Sequence, residues 1–217
     1  PHERPQVDEI KRIVAERRDT IENLIVLGIG GSALGNIALQ SALNPLTYNL
    51  LPKAERRGPR LFVLDNVDPA YFEAVMHFVE QDGWANTLVN VISKSGETAE
   101  TSAQFLIVRD RLIKALDETE GKDRILVTTD SSKGTMREIV DAQGYRSLVV
   151  PDGVGGRFSV LSPVGLLSAA FCGIDIDSLL DGAAAMDKTV SDPDPMTNPA
   201  ALMAMIYYLY DQRGKNI

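Results

Sequence analysis

The stretch NLIVLGIGGSALG, Asn23 to Gly35, runs from an apolar segment straight into a turn that holds Gly28, Gly30, Gly31 and Gly35. An unbroken apolar run without alternation reads as a strand buried on both faces, which is the pattern of a parallel sheet. Glycines at that density mean a backbone that bends sharply or lets something approach closely. Four more short apolar runs follow: RLFVLD (60–65), TLVNVIS (87–93), RILVTT (124–129) and SLVV (147–150). Helix-like segments separate them, at roughly 33–44, 69–80, 98–116 and 132–143. Strand, helix, strand in succession implies right-handed crossovers and a doubly wound α/β fold, an αβα sandwich on a five-stranded parallel sheet. A helix over about 7–18 precedes the first strand.

The punctuation agrees. Asp68 before Pro69 is an N-cap followed by a proline at the first helical position. Asp130 to Ser132 offer capping groups for the next helix. Gly144 closes MREIVDAQ as a C-terminal stop. After the fifth strand, PDGVGGRFSVLSPVG is a glycine-rich loop that enters an apolar helix over about 161–171. Two further helical stretches, about 175–190 and 198–213, flank the turn-rich segment SDPDPMTNP. The expected division is a core domain over 1–173 and a helical extension over 174–217.

The chain has 217 residues, 44% hydrophobic and 24% charged, with a formal net charge of -8 and a pI near 4.8. That size can bury a substantial core. The negative field disfavours non-specific binding to nucleic acid or anionic membrane, yet a few oriented amides still suffice for a local anion site. The single cysteine, Cys172 in SAAFCGID, reads as a small buried hydrophobe. No apolar run reaches membrane-spanning length, and the charged segment PHERPQVDEIKRIVAERRD does not read as a signal peptide. The expectation is a cytoplasmic protein. His2 and His77 are the only histidines, and His77 falls in a helical pattern where a surface or core-edge role suits it. No Cys/His cluster with zinc spacing, no H-E-x-x-H and no Ser-His-Asp arrangement is present, so no metal is expected.

Ligands of open parallel sheets bind beyond the carboxyl ends of the strands. GIGGSALG lies there after the first strand, and SKSGETAET (93–101) lies there after the third. The second loop gathers the hydroxyls of Ser93, Ser95, Thr98 and Thr101 at the start of a helix, where free N–H groups and the positive dipole end make a phosphate cradle. Simple helix capping by the same residues is the competing reading. The first loop approaches the dinucleotide fingerprint G-x-G-x-x-G, but the third glycine comes two residues late and Ser32 sits inside the turn. A nucleotide-binding oxidoreductase domain is therefore a weak alternative. In GGRFS, Arg157 stands between a glycine pair and an apolar helix, where a guanidinium can meet an anion bidentately.

Taken together and in order, GIGGSALG, SKSGETAET and GGRFSVLSPVGLLSAA resemble the three motifs of the glucose-6-phosphate isomerase (phosphoglucose isomerase) family, over about Leu24 to Gly173. The first two alone indicate the wider sugar isomerase (SIS) class with its flavodoxin-like sheet, and GGRFS points to this isomerase. The resemblance implies reversible aldose–ketose isomerisation of glucose 6-phosphate and fructose 6-phosphate through an enediolate, without a cofactor. It implies that residues 1–173 are the sugar-phosphate-binding domain. Gly31 and Ser32 would line the sugar, while Ser93, Lys94 by its backbone, Ser95 and Thr98 would hold the phosphate. Arg157 would stabilise the charge that develops on the enediolate oxygen. Glu97 departs from the family's usual small hydroxyl and is expected to face solvent. Family members are about twice this long, work as homodimers, and carry the general-base glutamate in a second half that no segment here matches. The expected chain is thus an inactive N-terminal domain, with a stand-alone regulatory sugar-phosphate module as the alternative.

Overall fold

The computed structural model describes residues 4–215. Helix α1 (Arg4–Arg17) leads into β1 (Asn23–Leu27), followed by α2 (Gly31–Leu43), β2 (Arg60–Leu64), α3 (Pro69–Asp82) and β3 (Thr87–Ile92). Then come α4 (Ala99–Leu116), the short α5 (Glu118–Asp123), β4 (Ile125–Thr129), α6 (Thr135–Gln143), β5 (Arg146–Val149) and α7 (Pro163–Phe171). All pairings are parallel, in the order β2-β1-β3-β4-β5, with Asn23 beside both Arg60 and Thr87. The chain runs outward from β1 to β2 and returns to add β3 on the other side of β1. The crevice between the β1 and β3 loops is therefore the switch point of the sheet.

Both faces of the sheet are covered, as the continuous apolar strands require. Ile25, Leu27, Val89, Val91, Ile125 and Val127 meet Phe72 and Met76 of α3, Phe105 and Leu112 of α4, and Met136 and Val140 of α6 in one buried cluster. The alternate strand residues Leu24, Val26, Leu88 and Leu126 are buried on the other face, the side that α1, α2 and α7 cover with Ile10, Ile13, Ala33, Leu167 and Phe171. The edge strand β2 is blunted from within, because the Leu61 N–H donates to Asn49 Oδ1 at 2.9 Å and Asn49 Nδ2 donates to the Leu61 carbonyl at 2.8 Å. A side-chain amide thus occupies pairing groups that an incoming strand would otherwise use.

The expected caps at two helices are present. Asp68 accepts from the Ala70 and Tyr71 N–H groups ahead of Pro69, and Gly144 closes α6 in the left-handed region at φ 71°. Asp130 departs from expectation. It accepts from the Ser132 and Lys133 N–H groups in the loop before α6, whose N-cap is Gly134. The carboxylate thus shapes the loop and leaves the helix end uncapped. Helix α5 lies in a segment without apolar periodicity, started by Asp117, whose side chain accepts from the Glu120 N–H.

One compact unit ends at Ile174 and a second begins at Asp175. The second holds α8 (Ile176–Val190) and α9 (Pro199–Asp211), capped by Asp175 and Asn198. Asn198 Nδ2 also donates to the Val190 and Asp192 carbonyls, joining the end of α8 to the start of α9. No helix among the described residues is long and apolar enough to cross a membrane.

Candidate functional site

A cavity of about 470 Å³ opens at the carboxyl edge of the sheet, beside the switch point. The β1 loop contributes Ile29 and Ser32, and the β3 loop contributes Ser93, Lys94, Ser95, Glu97 and Thr98. The loop after β4 contributes Asp130, Lys133 and Gly134. Ser93, Lys94, Ser95 and Thr98 thus sit with Ser32 around one space, while Gly31 is not among the lining residues.

The β3 loop is wound tightly. Gly96 at φ +77° turns the chain where a Cβ would stand 2.2 Å from the Met136 nitrogen. The Gly96 N–H donates to the buried Ser93 Oγ at 3.0 Å, and the Glu97 N–H donates to Ser95 Oγ at 3.2 Å. Each serine therefore shapes the turn while its own O–H proton remains to be donated. Thr98 occupies the N-cap position of α4 but makes no side-chain capping bond. One turn further, the Thr101 hydroxyl is buried, lines the cavity and has no hydrogen-bond partner. A buried hydroxyl without a partner bears a desolvation penalty that a bound anion or hydroxyl would relieve. Simple capping thus accounts for neither threonine.

The charges around the space are mixed. Asp130 is held below the usual carboxylate range, first by the Ser132 N–H and then by the Lys133 N–H and the nearby Lys94 and Lys133 ammonium groups, against the opposing effect of desolvation. Lys94 Nζ donates to the carbonyls of Pro151 at 3.3 Å and Val154 at 3.2 Å. Glu97 is exposed, as expected, yet it also forms part of the rim.

Arg157 lies on a single helical turn, Gly156–Phe158, with its side chain exposed and outside the cavity lining. No hydrogen bond or ion pair engages it among the described residues. Its backbone is nonetheless locked to the first loop, since a Cβ on Gly31 would stand 2.1 Å from the Gly156 carbonyl carbon and 2.7 Å from the Arg157 nitrogen. Behind Ser32, Asn36 Nδ2 donates to the Ser32 carbonyl at 2.8 Å, and the Ser168 hydroxyl of α7 donates to Asn36 Oδ1. The helix after Arg157 thereby steadies the turn that carries Ser32.

Asp130, Lys133 and Gly134 were missed as site residues. Asp130 followed by serine reads as a helix cap, and it is the parallel sheet that brings the loop after β4 to the same carboxyl edge as the other two. His77 is on the surface of α3 beside Gln81, and His2 lies outside the described residues. Cys172 is fully buried, and burial pushes its thiol up to about 12.

The family model described as phosphoglucose isomerase matches residues 11–214. The glucose-6-phosphate isomerase of Carboxydothermus hydrogenoformans is 42% identical over 212 residues, 98% of this chain and 45% of that protein. The glucose-6-phosphate isomerase of Rubrobacter xylanophilus is 45% identical over 207 residues, 94% of this chain and 46% of that protein. A solved structure of a hypothetical protein from Thermus thermophilus superposes with a TM-score of 0.84 at 35% identity, covering 97% of this chain and 46% of that one. A glucose-6-phosphate isomerase from Chlamydia trachomatis superposes with a TM-score of 0.78 at 26% identity, covering 96% and 38%. The chain thus spans about half the length of the curated relatives it matches.

Proposed function

Because the chain belongs to the phosphoglucose isomerase family, we propose that its cavity holds the phosphate of glucose 6-phosphate or fructose 6-phosphate, as the N-terminal half of an isomerase that interconverts the two. The Ser93, Ser95 and Thr98 hydroxyls and the Lys94 backbone N–H take the phosphate at the start of α4. Gly31 and Ser32 face the carbon skeleton. Arg157, exposed and unpaired next to Gly31, covers the reacting end. The reaction moves a proton between C1 and C2 through an enediolate, and a cation fixed by the developing oxyanion lowers that barrier.

The observation that carries this reading is Thr98, a helix N-cap residue that caps nothing and lines the cavity. Such a hydroxyl, joined to the free N–H groups of an 18-residue helix, is built to receive an anion. Glu97 cannot serve as the general base in this arrangement. It sits between Ser95 and Thr98 at the phosphate end, while the proton moves at the far end of a six-carbon sugar. On the family's pattern the general base comes from the second half of the longer protein, and the working enzyme is a cytoplasmic homodimer acting in glycolysis and gluconeogenesis.

Calorimetry of the 217-residue chain with fructose 6-phosphate, alongside a turnover assay, tests the proposal. Weak binding without isomerisation is expected. Turnover at the rate of a full-length isomerase would overturn the division of labour, and the lack of any sugar-phosphate binding would overturn the site.

A further inference from the structure

We infer that Lys94 is a positioning residue, whose ammonium clamps the turn after β5 and so sets where Arg157 stands relative to the phosphate loop. This rests on the sugar-phosphate reading above. Lys94 is the second residue of SKSGET, where a lysine suggests a cation for the phosphate. Its Nζ instead donates to the Pro151 and Val154 carbonyls, 57 and 60 residues further along the chain. Two of its three ammonium protons are committed there. The Lys94 main chain is fixed as well, because the Thr129 hydroxyl of β4 donates to its carbonyl at 3.3 Å. The clamp therefore runs from the sheet, through Lys94, to the start of the turn.

The far end of that turn is anchored by the packing of Gly156 on Gly31. Between the two anchors lie Gly153, at φ +78°, and Gly155, and both are exposed. Within it the Val154 N–H donates to the Pro151 carbonyl at 3.3 Å and the Phe158 N–H to the Gly155 carbonyl at 2.9 Å, both bonds local to the turn, so a segment of this composition has limited stiffness of its own. Its place depends on what grips it, and the grip nearest the phosphate loop is Lys94. The physical consequence is coupling: the loop that receives the phosphate also fixes the distance to the guanidinium that meets the other end of the substrate. A catalytic cation misplaced by an ångström loses much of its value.

The experiment uses the 217-residue chain with Lys94→Met, which keeps the apolar stem and removes the donors. Amide hydrogen exchange over residues 153–158 is read without ligand. Affinity is then read for two probes: inorganic phosphate, and a phosphorylated aldonate whose carboxylate stands in for the enediolate charge. Exchange in the turn should accelerate about tenfold while Gly96 stays protected, and aldonate affinity should fall about tenfold against less than about threefold for phosphate. Lys94→Arg, which can still reach two carbonyls, should restore much of both. Lys94→Met should add little to Arg157→Ala for the aldonate, because the two act through one element. Equal losses for both probes, additivity with Arg157→Ala, or unchanged exchange in the turn would each overturn the inference and make Lys94 a plain phosphate contact or a bystander. A wild-type chain that binds neither probe would sink the sugar-phosphate reading, and the exchange measurement would still decide the clamp. Should Lys94→Met not fold, Lys94→Gln takes its place with the same expectations.

Discussion

Gly31 shows how much a single hydrogen can matter. A methyl there would stand 2.1 Å from the Gly156 carbonyl carbon, and that neighbour is backbone, which cannot rotate away. Gly31→Ala must push the Arg157 turn off the first loop. The expected result is a stability loss of about 1–3 kcal/mol in urea denaturation, together with weaker fructose 6-phosphate binding. Gly182→Ala, where a Cβ meets open space, should do neither. Cys172 supports a second prediction at this scale. Burial raises its thiol from 9.0 to about 12, so the unfolded thiol ionises first as pH rises. Above the unfolded value the unfolded chain holds fewer protons than the folded one, and stability falls with pH until the folded thiol itself ionises. The slope is at most about 1.4 kcal/mol per pH unit for one group. Urea midpoints between about pH 8 and about 11 should therefore drop, and Cys172→Ala should flatten the drop. Tyr48 and Tyr71, whose hydroxyls burial also raises, contribute to any slope remaining in that variant. An unchanged slope in Cys172→Ala would contradict the assignment.

At the scale of elements, the start of α4 separates capping from binding. A threonine that caps a helix costs about 1 kcal/mol when its hydroxyl is removed. Thr98 makes no capping bond. Thr98→Val should therefore cost under about 0.5 kcal/mol in thermal or urea unfolding, while phosphate affinity, read by calorimetry, falls several-fold. A stability loss of full capping size with affinity intact would return Thr98 to a purely structural role. The same elements show what a sequence can and cannot reveal. Strands such as NLIVL were legible because burial on both faces leaves an apolar run, and in TLVNVI that run survives a single buried Asn90. Helix α5 was not, since ETEGKD has no apolar stripe to read. The β1 and β3 loops announced themselves through glycines and hydroxyls. The β4 loop did not, because Asp130 followed by serine reads as a helix cap, and only the fold brings it to the cavity. The direction of the Lys94 side chain was likewise hidden, its partners being distant in the chain and main-chain carbonyls, which any residue provides.

At the scale of the whole molecule, the strand order β2-β1-β3-β4-β5 does the assembling. It opens the crevice between β1 and β3 and sets the β4 loop beside it, so that residues about a hundred positions apart share one cavity. A net charge of -8 repels a phosphorylated sugar at long range. On the proposed reading, recognition comes from oriented N–H groups and hydroxyls within the crevice rather than from the overall field. Binding and chemistry are separable in such a design, and the reaction offers a way to separate them. Removing a proton from C1 of fructose 6-phosphate needs only a base, whereas completing the isomerisation also needs the proton redelivered at C2. In D2O, a base anywhere in this chain would exchange deuterium into C1 even where full turnover is too slow to detect. Among the described residues, the carboxylates that line the cavity are Glu97, held at the phosphate end, and Asp130, committed to the Ser132 and Lys133 N–H groups of its own loop. No exchange above the solvent rate is therefore expected, even at concentrations of chain that saturate the sugar. Proton NMR of the C1 position over hours reads this directly. Enzyme-dependent loss of the C1 signal would place a competent base within these 217 residues and overturn the view that the chain binds the substrate for chemistry supplied from elsewhere.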